Sequence, residues 1–257
     1  MRELIRSRLL AGSVLGQLEY LYQPIFDIRR ARFSKVELLV RLRGPDRTYF
    51  DSEKLLQEAG RLGLARAIDK NGFRVACQSI SRLMDMGIER ISVNLAPDSC
   101  QDPDLVAEAG RIMAETGASA EHICVEVTEM EQIKDEAGFA RSVRRLYDMG
   151  LEIAIDDFGK GYSGIQRMLT IPFHDLKLDK ELISNLETLP LSKPLLGTIV
   201  DFAHEQGITV TAEGVEHEGQ RTSMTLLGCD YLQGYYYSRP VGLEELERVV
   251  RGQRVCS

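Results

Sequence analysis

At 257 residues and 44% hydrophobic content, the chain suits one large α/β domain, and disorder is not its default. A formal net charge of −7 argues against duplex nucleic acid or an anionic membrane as partner, while leaving room for a small phosphorylated ligand held through metals and local cations. Five cysteines without a C-x-x-C pair argue against a disulfide framework or a zinc knuckle, and no apolar run reaches the roughly 18 residues of a membrane span, so a cytoplasmic protein is expected.

In chain order, residues 1–17 read as a charged helical extension, followed by a strand over 18–27. Only the short stretch Arg29-Arg30-Ala31-Arg32 separates it from a second strand over 34–41, which carries Glu37 and Arg41. A parallel crossover needs a dozen or more residues, so these two strands must be antiparallel. Asp102-Pro103 reads as a helix start, a cap followed by proline in the first turn. Further strands fall at 90–95, 122–128, 151–156, 174–178, 208–212 and 229–233. Gly87, Gly117, Gly150, Gly207 and Gly228 each close a helix-like stretch just before an apolar run, as a C-cap leading into a strand does. Eight strands alternating with helices predict a modified TIM (β/α)8 barrel with the first strand antiparallel, in a single domain spanning 1–257.

Six of these strands end in oxygen donors: Glu37, Asn94, Glu126, the pair Asp156-Asp157, Asp179 and Glu213. At equivalent ends of barrel strands such residues converge on one mouth. Two carboxylates about 4 Å apart repel by roughly 1–4 kcal/mol at effective dielectrics of 80 to 20, so the cluster calls for a compensating cation. The ligand set Glu37, Asn94, Glu126, Asp156, Asp157 and Glu213 contains no histidine or cysteine, which favours magnesium or manganese, and also calcium, over zinc. Adjacent aspartates suit a two-ion site, one carboxylate bridging while the other binds the second ion. Lys177 lies two residues before Asp179 and shares its face on a strand, where it can hold a water or a phosphoryl oxygen or form an ion pair. Arg41 shares the face of Glu37 and can grip a phosphate. Gly159-Lys160-Gly161-Tyr162-Ser163-Gly164 matches a dinucleotide fingerprint in letters, but the aspartates before it would repel a pyrophosphate. It reads instead as a loop bordering the metal site. Tyr235, Tyr236 and Tyr237 are candidates for a ring-binding wall or for core aromatics.

Together, YQPI at Tyr22–Ile25, ELLVR at Glu37–Arg41, SVNL at Ser92–Leu95, EVTE at Glu126–Glu129, DDFGKGYSG at Asp156–Gly164, LKLD at Leu176–Asp179, AEGVE at Ala212–Glu216 and QGYYYSRP at Gln233–Pro240 resemble the EAL-domain family of cyclic di-GMP phosphodiesterases. The resemblance runs from about Leu18 to Val250. It implies hydrolysis of cyclic di-GMP to linear pGpG by metal-activated water, with two magnesium or manganese ions, and calcium inhibitory. Glu37, Asn94, Glu126 and Asp156 would then serve the first ion, and Asp157 and Glu213 the second. Glu213 is also the implied general base, and Lys177 would position the attacking water. Gln23, Leu39, Arg41 and Asp179 would contact substrate, Gln233 would support the water network near it, and Glu129 would hold the loop after Asp157. A homodimer is a further implied partnership. The chain departs from the family at Leu38 (usually alanine), at Gln57 and Gly60 (usually proline and glutamate), and at Lys160, where GKG replaces GTG. A receptor that binds without cleaving and a protein-interaction module are the alternative readings.

Overall fold

The structure, a computed structural model, describes the chain except residues 1, 11–13, 45, 47, 103, 129–132, 134, 161–167, 187–190 and 253–257. Among the described residues, eight strands close a barrel in sequence order: β1 Leu18–Asp27, β2 Arg32–Leu42, β3 Arg90–Leu95, β4 Ile123–Thr128, β5 Glu152–Phe158, β6 Asp175–Leu178, β7 Thr209–Ala212 and β8 Tyr231–Leu232. β1 is antiparallel to both neighbours, β2 and β8, and every other pair is parallel. The short basic link expected between the first two strands is a tight turn in which Ala31 takes φ 50. The eight strands fall within three residues of their predicted bounds.

The helices are α1 Arg2–Leu10, α2 Ser52–Arg61, α3 Ala65–Asp85, α4 Pro97–Cys100, α5 Leu105–Thr116, α6 Glu136–Asp148, α7 Lys180–Asn185, α8 Ser192–Glu205, α9 Glu218–Leu226 and α10 Leu243–Arg251. Gly117, the C-cap of α5, has φ 72, a left-handed geometry that glycine adopts without a Cβ penalty. The start of α5 is later than expected from Asp102-Pro103. Asp102 Oδ1 accepts from the Asp104 N–H at 2.9 Å, a local side-chain turn that postpones the helix to Leu105. None of the described helices is long and apolar enough to cross a membrane.

Strand alternation explains the interior. Val36, Leu38, Ile91, Val93, Val125, Val127, Ile153, Ile155, Leu176 and Leu178 are buried in the main apolar core that also holds helix residues such as Phe73, Ile112 and Val143. The alternate residues point into the barrel and are mostly polar, Lys35, Glu37, Ser92, Glu126, Asp175 and Lys177 among them. Lys35 of β2 and Asp175 of β6 meet across the lumen at 3.6 Å, and Lys177 of β6 reaches Glu37 of β2 one layer above. In the lower layer the Lys35 ammonium also lies 3.8 Å from the centre of the Tyr231 ring, while Thr209 and Thr211 hydroxyls donate to Asp175. A second, smaller core joins α1 to the barrel flank: Ile5 and Leu9 pack with Leu42, Phe50, Leu55 and Ile68.

Candidate active site

The upper layer opens at the C-terminal ends of the parallel strands. Parallel register sets Asn94 beside Glu126 and Thr128 beside Asp156. The antiparallel β1 brings Gln23 level with Glu37. Neighbouring strand ends therefore deliver their polar side chains at nearly one height, which is how a barrel of this kind assembles a site.

Among the described residues, four carboxylates surround the Lys177 ammonium: Glu213 at 2.6 Å, Glu126 at 2.7 Å, Asp156 at 3.3 Å and Glu37 at 3.7 Å. Glu37 is also held by Asn94 Nδ2, donating to Oε1 at 2.8 Å, and by Gln233 Nε2, donating to Oε2 at 2.6 Å. Gln233 Nε2 lies 3.3 Å from Gln23 Oε1, and Gln23 Nε2 donates to the Ser238 carbonyl. Backbone bonds tie Glu213 N to the Leu178 carbonyl and Gln233 N to the Ala212 carbonyl, so both side chains are anchored to the rim.

Adjacent residues on a regular strand face opposite ways, yet Asp156 and Asp157 reach the same side. The β5–β6 register shifts between Ile155 and Phe158, and Asp157 takes φ 57, a left-handed conformation that aspartate tolerates at a cost of order 1–2 kcal/mol. As a result, one carboxylate oxygen each from Asp156, Asp157 and Glu213 lie within 4.8 Å of one another.

Burial sets the protonation behaviour. It raises the pKa of Glu126, Asp156 and Glu213; Lys177 opposes it and neighbouring carboxylates reinforce it, leaving Glu126 and Glu213 well above their ordinary value and Asp156 raised from its own. Burial acts on Glu37 too, but there Lys177 and the hydrogen bonds from Gln233 and Asn94 prevail and its pKa is lowered. Burial also disfavours charge on Lys177, and the surrounding carboxylates overcome it, so the ammonium form is strongly held.

Gln23, Glu37, Leu39, Asp156, Glu213 and Gln233 line a mouth cavity of about 240 Å³. Lys180, Glu216 and Tyr235 complete its rim; Lys180, exposed and directly after LKLD, escaped the sequence reading because nothing in its spacing marks it. A second cavity of about 180 Å³ shares Leu39 and is bordered by Arg41, Asn94, Thr128 and Gly60. Leu39 thus divides two lobes. Arg41 is half-buried, with Nη1 donating to the Val40 carbonyl at 2.9 Å. Asp179 lies outside both cavities' linings. β6 ends at Leu178, so Asp179 becomes the N-cap of α7 and accepts from Glu181 N–H. Glu129 and the Gly161–Gly164 part of the loop lie outside the described residues.

The donors fit hard divalent cations. They are oxygen groups, three of them close enough to share an ion, and Asp156 Oδ1 is buried without a hydrogen-bond partner among the described residues. The Lys177 ammonium, 3.3 Å from that oxygen, answers its charge only in part, and an oxygen donor of this kind is the ligand type that magnesium or manganese would prefer.

The EAL domain family matches residues 6–240, and the chain belongs to that family. It is 30% identical over 230 residues to the signaling protein YkoW of Bacillus subtilis, covering 89% of this chain and 29% of that protein. It is also 30% identical over 240 residues to the cyclic di-GMP phosphodiesterase NbdA of Pseudomonas aeruginosa, covering 93% of this chain and 31% of that one. The solved structure of the PaMucR phosphodiesterase in its c-di-GMP complex superposes with a TM-score of 0.84 at 29% identity, over 94% of this chain and 97% of that chain. The chain therefore spans about a third of the length of the curated relatives it matches.

Proposed function

We propose that this chain is a metal-dependent phosphodiesterase that hydrolyses cyclic di-GMP to linear pGpG. The observation that carries the reading is the convergence of Glu37, Glu126, Asp156 and Glu213 on the buried Lys177, beside an Asp157 turned to the same side. The names of NbdA and of the PaMucR complex supply the substrate class. Two lobes divided by Leu39 suit a ligand with two planar bases joined through phosphodiesters, with Arg41 on the phosphate side.

Glu37, Asn94, Glu126 and Asp156 would hold one magnesium or manganese ion, and Asp157 and Glu213 a second; calcium, with longer and looser coordination, would inhibit. Bound ions would neutralise phosphodiester charge and lower the pKa of water at the mouth. The chain's own residues orient the reaction. Lys177 directs N–H donors at Glu126 and Glu213 and faces Asp156 at 3.3 Å, and once one of these carboxylates is taken over by an ion, a donor would be free for a water or a phosphoryl oxygen. Glu213 has the most open side chain of the four, 18% exposed against 12% for Asp156, 8% for Glu37 and 1% for Glu126. Of the four, Glu213 is the one water reaches most readily, which suits a group that must take up a proton. Hydrolysis then exchanges one P–O bond to a ribose 3′ oxygen for a P–O bond from water, and the 3′ oxygen leaves with a proton.

Purified protein incubated with cyclic di-GMP and Mg²⁺ is to be resolved by chromatography beside Glu213→Gln. Conversion to pGpG by the wild type, reduced about 10²–10⁴-fold in the variant, is the expected result. Intact nucleotide retained by the protein would instead identify a receptor.

A further inference from the structure

Lys160 is a departure of this chain from the family pattern, and its position gives it a role. A turn closed by the Lys160 N–H to the Asp157 carbonyl, at 3.2 Å, folds the lysine back over the residue three before it. Its Nζ lies 2.5 Å from Asp157 Oδ1 and 3.1 Å from Asp179 Oδ2. The turn has little slack. Gly159 takes φ 105, and a Cβ there would lie 2.3 Å from Leu182 Cδ1 of α7. Asp179 is equally fixed, because its Oδ1 caps Glu181 N–H at 2.8 Å and its Oδ2 is the oxygen facing Lys160.

Asp157 is also one of the three residues whose carboxylate oxygens cluster within 4.8 Å with Asp156 and Glu213. A tethered ammonium and any ion held by that trio must therefore use the same carboxylate. Two cations on one carboxylate repel.

We propose that Lys160 is an intramolecular competitor for Asp157, exchanging with the divalent ion that Asp157 binds and parking on Asp179 when displaced. Lys160 thereby sets the affinity of that ion without itself touching the reacting atoms. This inference rests on the reading that divalent ions bind at the barrel mouth, and its consequences have opposite signs at two positions. Lys160→Met removes the competitor and tightens the ion at Asp157. Asp179→Asn keeps a cap acceptor but removes the charge that receives Lys160, and so weakens the ion there. Lys160→Arg keeps the competing charge.

The test is a Mn²⁺ titration of the full chain without nucleotide, with free Mn²⁺ followed by electron paramagnetic resonance and folding checked by thermal unfolding. We expect two classes of site. The weaker should tighten about fivefold in Lys160→Met, as expected for loss of a partly exposed ion pair. It should loosen in Asp179→Asn and stay near wild type in Lys160→Arg, while the tighter class is the same in all four proteins. A weaker class with one affinity in all four proteins overturns the role of Lys160 and leaves the ion reading standing. No Mn²⁺ bound by any of them overturns both.

Discussion

The Lys177 ammonium lies 2.6 Å from Glu213, which follows the neighbouring strand β7, and this contact links the deepest cation of the site to the most open of the four carboxylates around it. The same nitrogen lies 2.7 Å from Glu126, whose side chain is 1% exposed. Lys177 therefore spans the site from its floor to its mouth. A charge so buried persists only because carboxylates surround it, and they in turn depend on it.

Lys177→Met is expected to destabilise the protein, because it leaves Glu37, Glu126, Asp156 and Glu213 without their shared cation. Removing one partner of a buried ion pair costs about 3–5 kcal/mol. Urea unfolding in the presence of EDTA measures the loss. Mg²⁺ should recover more stability in the variant than it adds to the wild type, since the ion supplies part of the missing charge.

The ion-free protein is expected to lose stability as the pH is raised. Glu126, Asp156 and Glu213 have folded-state pKa values above those of the unfolded chain. The native state thus binds more protons above the ordinary carboxylate pKa, and the stability present below it is lost as pH rises through the raised values. Glu37, shifted downward, opposes this in part. Divalent ions reverse the penalty: at about 100 times its dissociation constant, each adds about 2.7 kcal/mol. Thermal scans from pH 5 to pH 8 with EDTA or Mg²⁺ should show a gap that widens with pH.

Gly234→Ala is expected to disrupt the site, whereas Gly60→Ala is not. A Cβ at Gly234 would lie 2.1 Å from the Val215 carbonyl oxygen and 2.3 Å from its nitrogen. The chain carrying Glu213 and the chain carrying Gln233 would have to separate, breaking the Val215 N–H bond to the Gln233 carbonyl. Hydrolysis and ion binding should both fall. At Gly60, within α2, a Cβ meets nothing within 4 Å, so alanine should leave stability unchanged or raise it by about 0.5–1 kcal/mol. Parallel melting curves and turnover assays distinguish the two.

Glu19 supplies an acid-sensitive contact away from the site. Hydrogen bonds from Arg43 and Tyr49 hold its pKa down, from 4.5 to about 2. The folded-state value is depressed, so its stabilisation is complete above pH 4.5 and is lost as pH falls toward about 2. The pair is largely exposed, which limits the effect to about 1 kcal/mol. Glu19→Gln should therefore narrow the stability difference between pH 6 and pH 3, as followed by urea midpoints.

Much of this protein is determined locally and was legible in its sequence. The antiparallel start follows from a link too short for a crossover, and the strand positions follow from apolar runs punctuated by glycine. The oxygen donors at strand ends are consequences of the same pattern, since a parallel barrel brings equivalent ends to one mouth. What required the tertiary structure is which charges meet. Alternation along an extended chain places Asp179 on the face of Lys177, but β6 stops at Leu178 and Asp179 turns to cap α7 and face Lys160. Alternation also separates Asp156 from Asp157, and only the shifted register with φ 57 at Asp157 reunites them. Lys177 and Glu37 are 140 residues apart in sequence and 3.7 Å apart across the lumen. Periodicity reports the face a residue takes on its own strand. The distance between charges on opposite strands is set by how the barrel closes, which no local pattern encodes.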